Sequence, residues 1–190
     1  HLASATLQAE PSQYRPLPMF LCVGSIEPRK NHLSILRAAE NCWMNGLEFE
    51  LILAGGQGWS NDEVIEFCIE LKERGRALKI INDASDPSLF ELYSEAFAFI
   101  TIPWVEGFGL PLAEAISTGK PTIASDITSH REFGCVENVF LVAPDDINGI
   151  SNTMAQLLEA KKREKFVTVT PRPALSWENY AHQLIVSIKD

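Results

Sequence analysis

The chain has 190 residues, of which 46% are hydrophobic and 22% are charged, and its formal net charge is −9. This composition is typical of one globular domain with a substantial core, and the acidic balance argues against a nucleic-acid partner. No apolar run reaches the roughly 18 residues expected of a membrane span, and no signal peptide is visible. We therefore expect a cytoplasmic protein. Because the chain starts at His1, we also expect it to be a piece of a longer one.

Short apolar runs alternate with helical patterns along the chain. Residues 1–18 are polar, contain three prolines and are interpreted as a linker or interdomain segment, and residues 19–190 are interpreted as one domain. Residues 167–173 are interpreted as an extended connection ahead of a last helix that Ser176 caps. Buried strands are predicted at residues 19–23, 51–54, 78–81, 97–102, 122–124 and 140–142.

Capping residues predict where the helices begin and end. Asn31 is predicted to cap the helix after the first strand, and Ser60 with Glu63 forms a capping-box pattern after the second. A later helix is predicted to begin near Asp146, and Gly119 is expected to end the helix before the fifth strand. Four cysteines are too widely spaced to suggest a metal knuckle and are interpreted as buried free thiols in a reducing compartment: Cys22, Cys42, Cys68 and Cys135.

Six short apolar strands that alternate with helices indicate a parallel sheet covered on both faces. We predict an α/β fold, namely a Rossmann-like, doubly wound parallel sheet of about six strands. Ligands of such sheets bind in the crevice beyond the carboxyl ends of the strands. Polar or glycine-rich segments follow the first four strands and would meet at that edge: residues 24–30, 55–58, 82–85 and 103–109.

Residues 106–114 read EGFGLPLAE and form the most informative segment. Its two glycines let a ligand approach the main chain, and Pro111 suits the first turn of a helix. The helix N-terminus would direct unpaired N–H groups at the loop, which favours an anion. The flanking Glu106 and Glu114 could be a catalytic pair or could hold sugar hydroxyls, because their spacing does not fix their separation. A surface acid favoured by the helix dipole is the alternative for Glu114.

Arg29 and Lys30 follow the first strand, just ahead of a helix. A guanidinium fork and an ammonium suit phosphate oxygens, although a solvated surface pair fits the same positions. Cations there oppose the helix dipole, so another anion should compensate them. The turn at residues 24–31, GSIEPRKN, lacks the GxGxxG fingerprint of nicotinamide and flavin sites. No DxD pair or His/Asp cluster suggests a metal site, so we expect neither a metal nor another cofactor.

The histidines and tryptophans receive simpler interpretations. His32 is expected to be exposed near a helix start, and His130 is expected in a surface loop. Trp43 lies at a helical position and is expected in the core. Trp59 and Trp104 border the predicted ligand-binding loops and are expected to be more open.

Together these segments resemble the C-terminal, nucleotide-sugar-binding half of a GT-B-fold glycosyltransferase of family 4, the type called glycosyl transferases group 1. The resemblance covers about residues 19–188. It rests on VGSIEPRKNH at 23–32, LILAGG at 51–56 and the segment 89–125, with further support from the Ser-Trp pair that starts the last helix. The Glu-x7-Glu pattern around EGFGLP is its most specific part.

The resemblance also implies a role for each site residue. Arg29 and Lys30 would hold the donor diphosphate and stabilise the leaving group, and Glu106 would contact the transferred sugar, which makes these three the catalytic residues. Glu114 would hold the ribose. The remaining donor-binding positions would give backbone clearance, offer amides to the donor or edge its base: Gly24, Gly56, Asn82, Ala84, Gly107, Phe108, Gly109 and Leu110.

The resemblance implies retaining transfer of a sugar from a nucleotide-diphosphate sugar to a glycan or lipid-linked acceptor, as in polysaccharide or lipopolysaccharide biosynthesis, without a metal. The acceptor would bind in an N-terminal domain for which this chain has no room, so we expect the chain alone to transfer no sugar. The full-length enzyme could associate peripherally with the inner face of the membrane. Two positions depart from the usual pattern, since Asn82 replaces a common glycine and Trp104 a common serine. A non-catalytic module for nucleotide sensing or docking, or an epimerase of the same fold, would also fit.

Overall fold

The computed structural model describes residues 16–133 and 136–163. Cys135, the connection predicted at 167–173 and the helix predicted from Ser176 lie outside the described residues, as does most of the predicted linker.

Within the described residues, one sheet of six parallel strands forms the centre of the fold. Its strands in chain order are β1 Met19–Val23, β2 Glu50–Ala54, β3 Leu78–Ile81, β4 Ala98–Thr101, β5 Thr122–Ser125 and β6 Val139–Val142. Their spatial order is β3-β2-β1-β4-β5-β6. The predicted parallel sheet is confirmed, and each predicted strand is present with ends shifted by at most one residue.

Helices connect successive strands. They are α1 His32–Met44, α2 Asp62–Glu73, α3 Asp86–Glu95, α4 Leu110–Ser117, α5 Thr128–Arg131 and α6 Ile147–Lys162, with a 3₁₀ turn at Pro28–Lys30 ahead of α1. None of these described helices is both long enough and apolar enough to cross a membrane.

The sheet buries an apolar core on each face because alternate strand residues point in opposite directions. Phe20 and Cys22 of β1 join one core with buried residues of α1, α2 and α6. Met19 and Leu21 of the same strand join the other core, against which residues of α3 pack. The predicted cover on both faces is therefore confirmed, and so is the prediction that Trp43 lies in the core, where it is 7% exposed.

Two of the predicted helix caps are wrong. Asn31 precedes α1 in a left-handed conformation, with φ of 56°, and its side chain donates to the Pro144 carbonyl at 2.8 Å instead of capping the helix. The capping box at Ser60 is absent, since α2 begins one residue later, after Asn61. By contrast, the helix predicted to begin near Asp146 is confirmed, since α6 begins at Ile147. Asp146 caps this helix and accepts a hydrogen bond from the Gly149 N–H at 2.8 Å.

The strand order reverses between β1 and β4, which form the centre of the sheet. A crevice opens at such a switch point because the helices after the two strands pack on opposite faces. The loops after β1 and β4 lie side by side there, and the Trp104 N–H donates to the Arg29 carbonyl at 2.8 Å. This hydrogen bond joins the two loops that carry the predicted charged residues.

Candidate functional site

Two cations from the loop after β1 meet one carboxylate from the loop after β4. Arg29 Nη1 lies 3.1 Å from Glu106 Oε1, and Lys30 Nζ lies 2.5 Å from Glu106 Oε2. Arg29 also pairs through Nη2 with Glu27 at 2.7 Å. The Lys30 and Glu106 side chains are only 11% and 15% exposed, whereas Arg29 is 42% exposed. The anion that was expected to compensate the two cations is therefore chiefly Glu106.

The charge state of Glu106 follows from these contacts. Burial alone would raise its pKa, but the hydrogen bond and charge of Lys30, followed by those of Arg29, hold the pKa below its ordinary value. Glu106 is thus ionised at neutral pH and occupies donors that would suit a phosphate. A diphosphate that entered this crevice would compete with Glu106 for Lys30 and Arg29.

The EGFG loop leads directly into α4. Gly109 has φ of 81° and precedes the first helical residue, Leu110. A side chain at Gly109 would be strained by that φ, and its Cβ would lie 3.0 Å from His130 Nε2. Phe108 packs edge-to-face on Phe133 at 5.9 Å between ring centroids. Because α4 starts at the carboxyl edge of the sheet, the unpaired amides of its first turn lie at the crevice.

His130 is buried beneath this loop, so the prediction of a surface loop is wrong. It lies on α5 and is 0% exposed. Its Nδ1 is 3.1 Å from the Ser125 carbonyl, which can only accept, so Nδ1 carries the proton. Its Nε2 has no hydrogen-bond partner among the described residues. Burial holds the pKa of His130 below its ordinary value, and the neutral ring supports Gly109 from below.

His32, the first residue of α1, is also buried, so the prediction of an exposed side chain is wrong. It is 2% exposed. Burial, reinforced by the charge of Lys30, lowers its pKa to about 4. The ring is therefore neutral at pH 7, directly behind the cation pair.

Glu114 lies on the exposed side of α4 and has a different partner from Glu106. It accepts a hydrogen bond from the Tyr93 hydroxyl of α3 at 2.6 Å. The Tyr93 ring in turn packs 5.1 Å from the ring of Phe99 in β4. Burial and the bond to Glu114 raise the pKa of Tyr93, so its hydroxyl remains a donor. The ribose-holding role of Glu114 stays a prediction.

The loops after β1 and β2 approach each other closely at Gly55, which the sequence interpretation missed. A Cβ at Gly55 would lie 2.1 Å from the Gly24 carbonyl oxygen, so only glycine fits there. At Gly56 a Cβ would make only an ordinary contact within the protein, 3.6 Å from Asp83 Oδ1, and the clearance predicted there for a donor stays a prediction. The GGQG run at residues 55–58 is the sequence feature that could have indicated this close approach, but such a run by itself also fits a simple turn.

The remaining predicted site residues lie at the same edge, either in loops or, for Leu110, at the start of α4. Asn82 is exposed and Ala84 is half-buried in the loop after β3. Gly107 and Phe108 are exposed, and Leu110 is 53% exposed. The structure thus brings Arg29, Lys30 and Glu106 into direct contact and sets the other positions around them, where their roles toward a donor stay predictions.

The described cysteines are free and buried, as predicted: Cys22, Cys42 and Cys68. Burial raises the pKa of Cys22 to about 12 and that of Cys42 and Cys68 to about 11, so none is a reactive thiolate at neutral pH. Within residues 16–133 and 136–163, no group of three or more His, Cys, Asp or Glu side chains could hold a metal ion. The expectation of a metal-free site stays a prediction.

Several curated relatives of this chain are bacterial mannosyltransferases. It is 34% identical over 174 residues to the O-antigen chain mannosyltransferase B of Escherichia coli, a match that covers 89% of this chain and 45% of the relative. It is 38% identical over 115 residues to the serotype-specific mannosyltransferase WbdA of Escherichia coli, covering 60% of this chain and 14% of the relative. The chain thus spans less than half the length of these relatives.

Solved structures of larger proteins contain the same fold. TarM matches with a TM-score of 0.67 at 17% identity, over 96% of this chain and 37% of its own. The pneumococcal O-GlcNAc transferase GtfA, solved with UDP and GlcNAc, matches with a TM-score of 0.65 at 21% identity, over 84% of this chain and 32% of its own. At these identities the likeness concerns the fold.

The family follows from the sequence match. Residues 6–170 match the family described as Glycosyl transferases group 1. This match covers most of the chain and includes the charged cluster, the EGFG loop and Glu114. The chain belongs to the Glycosyl transferases group 1 family.

Proposed function

We propose that this chain is the C-terminal, donor-binding half of a retaining glycosyltransferase of the GT-B type, family 4. It binds a nucleotide-diphosphate sugar, whose sugar is transferred to a glycan or lipid-linked acceptor. The observation that carries the proposal is the contact of Arg29 and Lys30 with Glu106 at the switch point between β1 and β4. Membership of the glycosyl transferases group 1 family supports it.

The cation pair suits the leaving group of this reaction. When the sugar departs, negative charge builds on the diphosphate and positive charge grows on the anomeric carbon. Preorganised donors aimed at the developing charge are a major source of catalysis. Arg29 offers a guanidinium fork, Lys30 offers an ammonium, and the first turn of α4 offers amides. These groups neutralise the leaving diphosphate without a metal ion.

The two acids contact different parts of the donor. Glu106 lies against the cations, so it contacts the transferred sugar next to the diphosphate. Glu114 accepts the ribose hydroxyls, and the bond from Tyr93 fixes its orientation. The loop after β3, which contains Asn82 and Ala84, borders the base of the nucleotide.

The relatives support a particular sugar and acceptor. Both Escherichia coli relatives are named mannosyltransferases, and one is named for the O-antigen chain. The proposed reaction is therefore mannosyl transfer in the synthesis of a lipopolysaccharide or related polysaccharide, in the cytoplasm and at the inner face of the membrane. Because this chain spans less than half of those relatives, the acceptor is proposed to bind mainly to a further domain. The chain alone is then expected to bind the donor and to transfer no sugar.

Calorimetric titration tests the proposal. The chain is titrated with UDP, GDP and ADP and with their sugars, and compared with a variant that carries Arg29→Ala and Lys30→Ala. We expect at least one nucleotide to bind and the variant to bind it about three-hundredfold more weakly or worse, because two charge-assisted contacts are lost.

The matched control removes the same charge elsewhere. Lys72 and Arg74 lie at the end of α2, at the opposite edge of the sheet from the carboxyl ends of the strands. Replacing both with alanine is expected to leave nucleotide affinity unchanged. If no nucleotide binds, the alternative of a docking module is favoured. If the double variant at 29 and 30 binds as well as the wild type, the phosphate assignment is wrong.

A further inference from the structure

Trp104 is a site residue that the proposed donor chemistry does not use. Its side chain is 49% exposed beside the reaction crevice. Its position is fixed, because its backbone N–H donates to the Arg29 carbonyl at 2.8 Å.

Trp104 lines two separate cavities. The first, here called the inner cavity, has a volume of about 290 Å³, and its polar wall residues are Glu106, Asp126, Thr128, Ser129 and Arg131. The second, here called the outer cavity, has a volume of about 340 Å³, and its polar wall residues include Glu27, Asn31, Arg37, Ser60 and Glu63. Both volumes are close to the lower end for small-molecule sites, roughly 300 Å³.

The inner cavity is lined by the carboxylates of Glu106 and Asp126 and by the guanidinium of Arg131. Arg131 Nε donates to Asp126 Oδ1 at 2.6 Å and Nη2 donates to Oδ2 at 3.1 Å. The two side chains remain 63% and 38% exposed. With Glu106 they offer several acceptors and donors in one small volume, which matches the adjacent hydroxyls and ring oxygen of a sugar.

The outer cavity repeats this mixture of groups. Arg37 Nη2 lies 3.6 Å from Glu63 Oε1, and both side chains are more than half exposed. Glu27 lies on the same wall and pairs with Arg29, so the outer cavity borders the cation pair. Each cavity thus holds charges of both signs, which favours a neutral polyhydroxylated ligand over an anion or a cation.

We propose that Trp104 is a sugar-stacking residue and that the two cavities hold successive residues of the acceptor glycan. This inference rests on the proposed function. The face of the indole packs against the C–H face of one sugar ring. The glycan end that receives the new sugar lies in the inner cavity, because Glu106 lines it. The preceding sugars extend into the outer cavity, so this half of the enzyme takes part in acceptor recognition.

The test uses the four tryptophans as probes. The ¹⁵N-labelled chain is titrated with α-linked mannose oligosaccharides of one to four residues, and the indole N–H signals are followed by NMR. Trp104→Ser identifies the Trp104 signal, and the unchanged signal of the core residue Trp43 verifies folding. We expect the Trp104 signal to shift and affinity to rise with glycan length. Trp104→Ser is expected to weaken binding by about tenfold or more.

Trp59 provides a matched control. It is 64% exposed, lies in the loop after β2 and lines neither cavity. We expect Trp59→Ser to leave glycan affinity unchanged. Asp126→Asn is expected to weaken binding of every length, whereas Glu63→Gln should weaken only the longer oligosaccharides that reach the outer cavity.

The outcomes separate this inference from the proposed function. If a nucleotide binds but no mannose oligosaccharide shifts the Trp104 signal, the glycan site is wrong and donor binding stands. The same holds if Trp104→Ser binds glycan as well as the wild type. If the glycan binds through Trp104 but no nucleotide binds, the proposed donor site is wrong and the sugar-stacking role stands.

Discussion

The two acids of the EGFGLPLAE segment lie eight residues apart but in different surroundings. Glu106 precedes α4, is 15% exposed and contacts Lys30 and Arg29 from the loop after β1. Glu114 lies within α4, is exposed to solvent and accepts a hydrogen bond from Tyr93 of α3. One carboxylate is therefore paired with two cations that a phosphate can also bind, and the other is oriented by a neutral hydroxyl.

The role of each acid is therefore indicated by the groups that it contacts rather than by its spacing in the motif. A carboxylate that neutralises two cations competes with any anion that approaches them. A carboxylate fixed by one hydroxyl keeps free lone pairs for ligand hydroxyls. Replacing each acid with glutamine should therefore change the affinity for a nucleoside diphosphate in opposite directions. Four predictions test this contrast.

The largest effect is expected at the cation pair. Lys30 is 11% exposed and Arg29 is 42% exposed, so contacts of Lys30 are less weakened by water. We expect Lys30→Ala to lower affinity for a nucleoside diphosphate by about thirty- to a hundredfold, and Arg29→Ala by about tenfold. Isothermal titration calorimetry measures both. A larger loss for Arg29→Ala would contradict the assignment of Lys30 as the main phosphate contact.

The next effect concerns Glu114. Glu114→Gln is expected to lower affinity for a nucleoside diphosphate by about tenfold, because the amide carries no charge and has one acceptor oxygen where the carboxylate has two. Tyr93→Phe should lower it by about threefold, since Glu114 then loses its orienting bond. Inorganic pyrophosphate, which has no ribose, serves as the control in the same titration. An equal loss of pyrophosphate affinity would show that Glu114 acts on the phosphates instead.

Replacing Glu106 is expected to raise, not lower, the affinity for phosphate ligands. Glu106→Gln removes the charge that competes for Lys30 and Arg29, so we expect affinity for nucleoside diphosphate and pyrophosphate to rise by about threefold. The same calorimetric titration measures it. A fall in affinity for both ligands would mean that Glu106 organises the phosphate site instead of competing for it.

The smallest effect concerns stability at acid pH. Because the pKa of Glu106 is lowered in the folded state, its charge stabilises the fold above its ordinary pKa of 4.5, and this stabilisation is lost as the pH falls through the lowered value. We expect it to be no more than about 1 kcal/mol, since the cluster is partly exposed. Denaturant unfolding at pH 7 and pH 3.5 measures it. The free-energy gap between wild type and Glu106→Gln should shrink at pH 3.5, and a constant gap would contradict this.

The fold could be predicted from the sequence because its signals are local. Each strand is a short apolar run, and Asp146 caps α6 through its own third neighbour. That the loops with Arg29, Lys30 and Glu106 lie at one edge of the sheet could also be predicted, because each follows a parallel strand. That the compensating anion of Lys30 is Glu106, 76 residues away, could not be predicted, because it depends on which loops meet at the reversal of the strand order.

The failures have the same origin. His32 and His130 stand among polar neighbours in the sequence, which indicates exposure, yet tertiary packing buries both. The requirement for glycine at Gly55 arises from the Gly24 carbonyl in another loop. Ser60 matched a capping box, but its left-handed backbone, with φ of 48°, shifts the helix start beyond it.

A crystal structure of this chain with the nucleoside diphosphate sugar that binds best would test the central claim most directly. We predict that the phosphate oxygens lie within hydrogen-bonding distance of the Arg29 guanidinium and the Lys30 ammonium, and that the ribose hydroxyls contact Glu114. The Lys30–Glu106 contact should lengthen as the phosphate replaces the carboxylate. A nucleotide bound away from this crevice, with the Lys30–Glu106 pair unchanged, would contradict the account.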